Sequence, residues 1–318
     1  MAKYLVTGAA GFIGSNLVKA LLDKGEEVIA FDNLSLGKEK NLEFAYTHAH
    51  KQKFIFVKAD IRNFEDCLKA TKGVDYVLHQ AALGSVPRSI KEPLIYDENN
   101  ITGTLNVLYA ASQNKVKRLV FASSSSVYGD TEELPKRETM IPRPKSPYAI
   151  SKITGEYYCR VFADVYNLPT ICLRYFNVFG PKQDPESQYA AAIPKFVTKI
   201  FNGQAPTIYG DGEQTRDFTF IENVIKANLN ACTVTLPSYG KVYNIGCAQR
   251  ISINDLVNTI KKVLNSKVNS IYEPKRLGDV LDSLAAVSEA QKDLNYTNLI
   301  DLEAGLQKTI KWYTDSLS

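Results

Sequence analysis

The 318-residue sequence has only three histidines, five cysteines, two methionines and one tryptophan. His48 and His50 stand two apart, so they point in different directions on a helix, and His79 is remote. No metal site is expected from them. Cys67, Cys159, Cys172, Cys232 and Cys247 are odd in number and scattered, with no Cys-x-x-Cys pair. Reduced, buried thiols in a cytoplasmic protein are the expectation. No run approaches ~18 apolar residues, so neither a membrane span nor a membrane partner is expected. Charge of one sign is also scarce: 38 basic residues against 34 acidic ones leave +4. With no dense Lys/Arg block, nucleic acid is not an expected partner, although a basic pocket for one anionic ligand remains open. The opening Met-Ala-Lys-Tyr-Leu-Val-Thr-Gly reads as a strand entering a glycine turn, not as a signal peptide. Internal repeats and low-complexity segments are absent.

What is present is alternation. With 45% hydrophobic residues, the chain can bury one large core or two domains sharing an interface. Tyr4–Thr7, Val28–Asp32, Phe54–Lys58, Tyr76–Gln80, Leu119–Ser123 and Thr170–Tyr175 read as buried strands. Phe12–Lys24, Leu94–Gln113 and Tyr148–Tyr166 read as helices. The pattern predicts an α/β protein with a Rossmann-type doubly wound parallel sheet, whose ligands lie at the carboxyl ends of the strands. After about residue 176 the alternation fades and Pro181, Pro185, Pro194 and Pro206 punctuate the chain. The expected division is a dinucleotide-binding domain over 1–175, extended by a return at about 218–245, and a smaller C-terminal α/β substrate domain over 176–318.

The stretch TGAAGFIGS places Gly8, Gly11 and Gly14 between a strand and a helix that begins with Phe12 and Ile13. In that context Gly8 permits the turn, Gly11 lets backbone approach a pyrophosphate, and Gly14 lets the helix pack closely. The helix N-terminus offers free N–H groups and a partial positive charge to an anion. The spacing is Gly-x-x-Gly-x-x-Gly, not the commoner Gly-x-Gly-x-x-Gly. Asp32, followed by Asn33, ends the second strand; its carboxylate suits two ribose hydroxyls and repels a 2′-phosphate, which favours NAD over NADP. Asp60 and Ile61, after the third strand, suit adenine.

In SPYAISKITGE, Tyr148 and Lys152 are four apart and share a helix face. Taking a proton from an alcohol while a hydride leaves needs a base that works near neutrality. Lowering a phenol by ~3 units requires ~4 kcal/mol in favour of phenolate. A cation at ~4 Å in an effective dielectric of ~20 supplies about that much. Lys152 is one such cation and an oxidised nicotinamide a second, while Ser124 could hydrogen-bond the same oxygen.

The residues TGAAGFIG, Asp32, HQAA (79–82), Asn100 in NITGTLN, SSS (123–125), YAISK and LRYFNVFGP (173–181) resemble the extended short-chain dehydrogenase/reductase family over nearly the whole chain. Within it, the sequence looks like the NAD-dependent nucleotide-sugar 4-epimerases. That resemblance implies NAD contacts from Gln80, Ala81, Ala82, Asn100 and Tyr175 as well as Tyr148 and Lys152. It implies Asn177 and Arg216 on a UDP diphosphate, Arg276 and Asp279 on phosphate and the uridine ribose, and Tyr209 near the uracil. It also implies a homodimer formed by the helices Leu94–Gln113 and Tyr148–Tyr166. Related 4,6-dehydratases carry an Asp-Glu pair beside the catalytic hydroxyl; here Ser124 is followed by Ser125 and Ser126, so oxidation and re-reduction at C4 is the simplest expected outcome.

LGSVPRS (83–89) and LGDVLDSLA (277–285) look like the subgroup acting on UDP-N-acetylhexosamines. By that resemblance Ser283 is a small gate beside the C2 substituent, Ser85 bonds the sugar, and Gly84 and Ser125 lie beside it. UDP-N-acetylglucosamine interconverted with its galacto epimer is the leading expectation. UDP-glucose/UDP-galactose, UDP-hexuronates, a non-catalytic NAD sensor and, for Ser283, an ordinary loop serine stay open.

Overall fold

The computed structural model describes residues 1–185, 192–274 and 282–317. Six strands occupy the first half: β1 (Lys3–Thr7), β2 (Glu27–Asp32), β3 (Phe54–Lys58), β4 (Tyr76–His79), β5 (Arg118–Ser124) and β6 (Thr170–Tyr175). With Lys241–Ile245 they form one parallel sheet in the order Lys241–Ile245, β6, β5, β4, β1, β2, β3. Every residue of β6 is buried, as expected for a central strand covered on both faces. The order reverses between β1 and β4, which pair directly, and the crevice at such a reversal lies at the strands' carboxyl ends.

The helix Phe12–Asp23 buries Leu17, Val18, Leu21 and Leu22 on the sheet. Each such side chain contributes ~1.5–3 kcal/mol of apolar burial. Gly25, at φ 72°, ends it by donating to Leu22 O at 2.8 Å. The helix Pro147–Val165 starts with the Ser146 hydroxyl accepting from Ala149 N at 3.1 Å and with proline at its first position.

The sequence predicts one continuous helix over Leu94–Gln113. The structure divides it into Pro93–Tyr96, a π-helical segment Asp97–Thr102 and Gly103–Gln113. The wider turn re-aims Asn100 inward, where its side chain reaches Leu83 and Ser151.

One apolar cluster covers one sheet face with Leu17, Val120 and Leu173 and runs on into Phe196, Ile208, Leu256 and Leu306. The other face holds a separate cluster around Val107, Leu108, Cys159, Phe162 and Cys172. The later half of the chain uses short strand pairs: Val178–Phe179 with Thr219–Phe220, Thr207–Tyr209 with Ile271–Glu273, and Thr215–Arg216 with Ile251–Ser252. Helices Ala192–Phe201, Ile253–Val263 and Leu302–Leu317 pack around them. Among the described residues no helix is long and apolar enough to cross a membrane.

Candidate active site

A cavity of about 330 Å³ opens at the carboxyl ends of β1, β2 and β4. Its floor is the glycine turn. Gly8 has φ 66°, and a Cβ there would sit 2.8 Å from Ala81 Cα. A Cβ on Gly14 would lie 2.1 Å from Gly8 O, so helix and strand pass closer than any side chain permits. Gly11 begins the helix without a side-chain cap. The first-turn N–H groups at Phe12, Ile13 and Gly14 therefore face the cavity with no partner from the helix itself. Asp32, at the end of β2, is buried. Its two oxygens accept from Ala10 N at 2.9 Å and Leu34 N at 2.8 Å. Burial raises its pKa against those two bonds, and each oxygen keeps a lone pair for a hydroxyl. Bare glycines, an uncapped helix and a carboxylate at the next strand fit a dinucleotide without a 2′-phosphate.

Tyr148 and Lys152 line the same cavity. Tyr148 is half-buried. The neighbouring Ser124 hydroxyl favours phenolate, but burial is the larger influence and raises the pKa. Lys152 is buried; its Nζ donates to Ala122 O at 2.7 Å and lies 5.8 Å from the centre of the Tyr148 ring. Burial brings the ammonium down to about 8, with Glu156, one turn further along, opposing. In the protein by itself, desolvation dominates and the phenol stands above its ordinary value.

Around this pair the polar groups form defined chains. Thr7 Oγ1 donates to His79 Nδ1 at 2.7 Å. His79 Nε2 donates to Thr104 Oγ1 at 3.0 Å, and Thr104 donates to Asn100 O at 2.6 Å. Burial drives His79 down to about 3, so the imidazole is neutral and structural. Asn100 does not line the cavity; its amide is committed to Leu83 and Ser151, while its neighbour Asn99 reaches the lining. Asp60 also stands outside the cavity, held down to about 2 by Arg62 and bonded by Asn33 Nδ2 at 2.9 Å. Asn33, Ile61, Gln80, Ala81, Ala82, Gly84 and Tyr175 all line it. Ser85 caps the helix Val86–Lys91 instead, its Oγ accepting from Arg88 N at 3.1 Å. Ser125 opens the turn Ser125–Tyr128 and lines neither of the two cavities described here.

A second cavity of about 260 Å³ holds Asn177, Tyr209 and Arg216 together. Asn177 stands two residues beyond Tyr175, so the end of β6 contributes to both cavities. Asn177 Nδ2 donates to Asp217 O at 3.0 Å and to the Ser283 hydroxyl at 3.1 Å. Ser283 is 8% exposed and also accepts from Asp217 N at 3.3 Å, so it is no surface loop serine. Asp217 ties these segments to the core. Its oxygens accept from Cys247 N at 2.8 Å and Ala285 N at 3.0 Å, and burial lifts it to about 6. Arg276 and Asp279 lie outside the described residues.

Some lining residues escaped the sequence reading. Ser35, Leu36, Gly37 and Ser123 border the first cavity, and Phe196, Thr207, Gln214 and Phe218 the second. The turn formers Asn33, Ser35 and Gly37 directly after Asp32 were a usable signal for Ser35–Gly37. Phe196 carries no such mark, because it reads as one more apolar residue of an amphipathic helix.

Sheet reversal, glycine turn, acidic strand end and Tyr-x-x-x-Lys face define a dinucleotide-dependent enzyme of the short-chain dehydrogenase/reductase class. The chain belongs to the NAD dependent epimerase/dehydratase family, whose model matches residues 4–246. It superposes on the UDP-N-acetylglucosamine 4-epimerase of Methanobrevibacter ruminantium M1, solved with UDP-N-acetylmuramic acid, with a TM-score of 0.93. The two are 40% identical and the match covers 99% of each chain. It is 35% identical to the UDP-glucose 4-epimerase of Mycolicibacterium smegmatis over 311 residues, 97% of each chain. It is 33% identical to the UDP-glucuronate 4-epimerase of Thermodesulfobacterium geofontis over 323 residues, covering 100% of this chain and 98% of the relative.

Proposed function

We propose that this NAD-dependent UDP-sugar 4-epimerase interconverts UDP-N-acetylglucosamine and UDP-N-acetylgalactosamine. The observation that carries the choice of sugar is Ser283: a small, buried side chain that lines neither cavity itself but stands directly behind Asn177, which it bonds and which lines the cavity with Tyr209 and Arg216. A serine there leaves volume that a bulky residue would fill, and volume is what an acetamido group requires. The likeness to the M. ruminantium enzyme supports the same choice.

Bound NAD supplies a hydride acceptor and a second positive charge beside the phenol. Tyr148 is the base that takes the 4-hydroxyl proton and later returns it, and Ser124, beside it, relays that proton. Lys152 supplies the resident cation. Asn177 and Arg216 hold the diphosphate, and Tyr209 lies by the uracil. Held by its nucleotide, the sugar is free to turn and present its other face.

In this reading, residues 1–175 with about 218–245 form the cofactor domain and 176–318 the UDP-sugar domain. The protein is cytoplasmic, in keeping with its free thiols among the described residues. It is a homodimer. The helix Pro147–Val165 leaves Tyr157 60% and Val165 67% exposed, and Leu94 beside it is 77% exposed. A second copy of the same two helices would cover that stripe. Sedimentation should give twice the chain mass, and Val161→Arg should halve it.

The deciding experiment incubates the purified protein with each UDP-hexose, UDP-hexuronate and UDP-N-acetylhexosamine without added NAD, and resolves the epimers. Turnover of UDP-N-acetylglucosamine at the highest kcat/KM supports the proposal. Stoichiometric NAD consumption, or no turnover of N-acetylated sugars, overturns it.

A further inference from the structure

Three side chains close a hydrogen-bonded circuit under the cofactor cleft. Gln80 follows β4, Tyr175 ends β6, and Asn228 comes from the helix Ile221–Thr233. Asn228 Nδ2 donates to the Tyr175 oxygen at 2.9 Å. The Tyr175 hydroxyl has Gln80 Oε1 and Asn228 Oδ1 both at 3.1 Å as acceptors, and Gln80 Nε2 donates to Asn228 Oδ1 at 3.1 Å. With the Tyr175 proton on Gln80, each member gives one proton to the circuit and accepts one. The second Nδ2 proton of Asn228 goes to Val224 O at 2.8 Å. Turning the Asn228 amide over would set its Oδ1 against Val224 O, so that carbonyl fixes the orientation of the amide and of the circuit.

Gln80 and Tyr175 line the first cavity, whereas Asn228 is fully buried behind them. Gln80 sits beside the glycine turn, with its N–H on Thr7 O at 3.2 Å. Tyr175 is the cross-strand neighbour of Ser124. The circuit thus braces the cleft from the pyrophosphate turn to the catalytic serine. A buried carboxamide is costly unless paired, and a leucine would fill the same space without that cost. Packing alone gives no reason for an amide at this point.

We propose that Asn228 is a positioning residue: it locks Gln80 and the Tyr175 ring into one rigid wall that sets the nicotinamide half of the cofactor against the sugar carbon. The proposal rests on the reading above that Tyr175 contacts bound NAD, and takes that contact to be with its nicotinamide half. A displacement of ~1 Å at reacting atoms costs about 10²-fold in rate, so a wall that yields would register first in kcat.

The test compares Asn228→Leu, which keeps the volume and removes every donor and acceptor, with Tyr175→Phe and the double variant. Asn228→Leu is expected to lower kcat by about 10- to 100-fold with KM for the UDP-sugar within about twofold. Bound NAD, released by dilution and followed by its absorbance, should leave at least about tenfold faster than from the wild type. The double variant should lose no more than the worse single one, because both cut the same circuit. Wild-type kcat and NAD retention in Asn228→Leu would overturn the proposal, as would losses that simply add. Should Asn228→Leu fail to fold, Gln80→Leu paired with Tyr175→Phe reads the same circuit from the cavity side. If the wild type turned over no UDP-sugar, the functional reading would fall, yet NAD release would still decide the circuit.

Discussion

The two cavities are built by different means. The first is shaped by main chain: Gly8, Gly11, Gly14, Ala81, Ala82 and Gly84 at the ends of long parallel strands. The second is shaped by side chains: Tyr209 and Arg216 on strands only two or three residues long, Phe196 on the helix Ala192–Phe201, and Phe218 between two short strands. Backbone shape tolerates no added atom, so it specifies one guest. Side chains can be exchanged one at a time, so they choose among related guests. An enzyme that retains its cofactor and exchanges its substrate needs that division of labour.

The division is broken most severely at the turn. Gly14→Ala puts a Cβ against Gly8 O and should leave the purified protein without bound NAD and without turnover, while UDP still binds by calorimetry. An alanine variant that keeps its NAD would refute the backbone-shape account. Next comes Tyr148→Phe, expected to cut kcat by about 10²–10⁴-fold with UDP-sugar affinity nearly unchanged. Ser283→Tyr should act on one guest only: turnover of UDP-N-acetylglucosamine falls by roughly 10- to 200-fold while that of UDP-glucose persists. Equal losses on both sugars would remove Ser283 from the gate.

The smallest effect concerns stability. Lys152 is depressed to about 8 in the folded chain from an ordinary value of 10.5. Between those values the unfolded chain binds more protons, so this lysine makes stability rise with pH. Its destabilising influence is full below about 8 and gone above 10.5. The melting temperature of cofactor-free Lys152→Met, relative to wild type, should therefore be highest near pH 7 and decline by pH 10. A difference that does not vary with pH would contradict a buried ammonium.

Legibility followed the same divide. Phe54–Lys58 and Thr170–Tyr175 were readable with both ends correct, because long apolar runs between breakers have few alternatives. Tyr148, Lys152 and the glycines were readable because their spacing carries chemistry. The π-helical turn at Asp97–Thr102 was not, since it adds one residue to a turn without changing the apolar pattern. Nor was Asn228, which in a string such as IKANLNA looks like a solvent-facing amide until the helix is docked. The desolvation of Tyr148 was illegible for a related reason. Spacing reveals which charge is near, but only packing reveals how much water has been removed.

The helix Phe12–Asp23 opens on a residue that has no side chain to finish it. Such an element is incomplete as synthesised, and its last partners arrive with a guest molecule. A cofactor that never leaves during turnover needs to complete it only once in the lifetime of the chain. Newly made, unloaded copies should then be looser around residues 8–14 than mature ones, which would give quality-control proteases a way to recognise the chains that never received their dinucleotide.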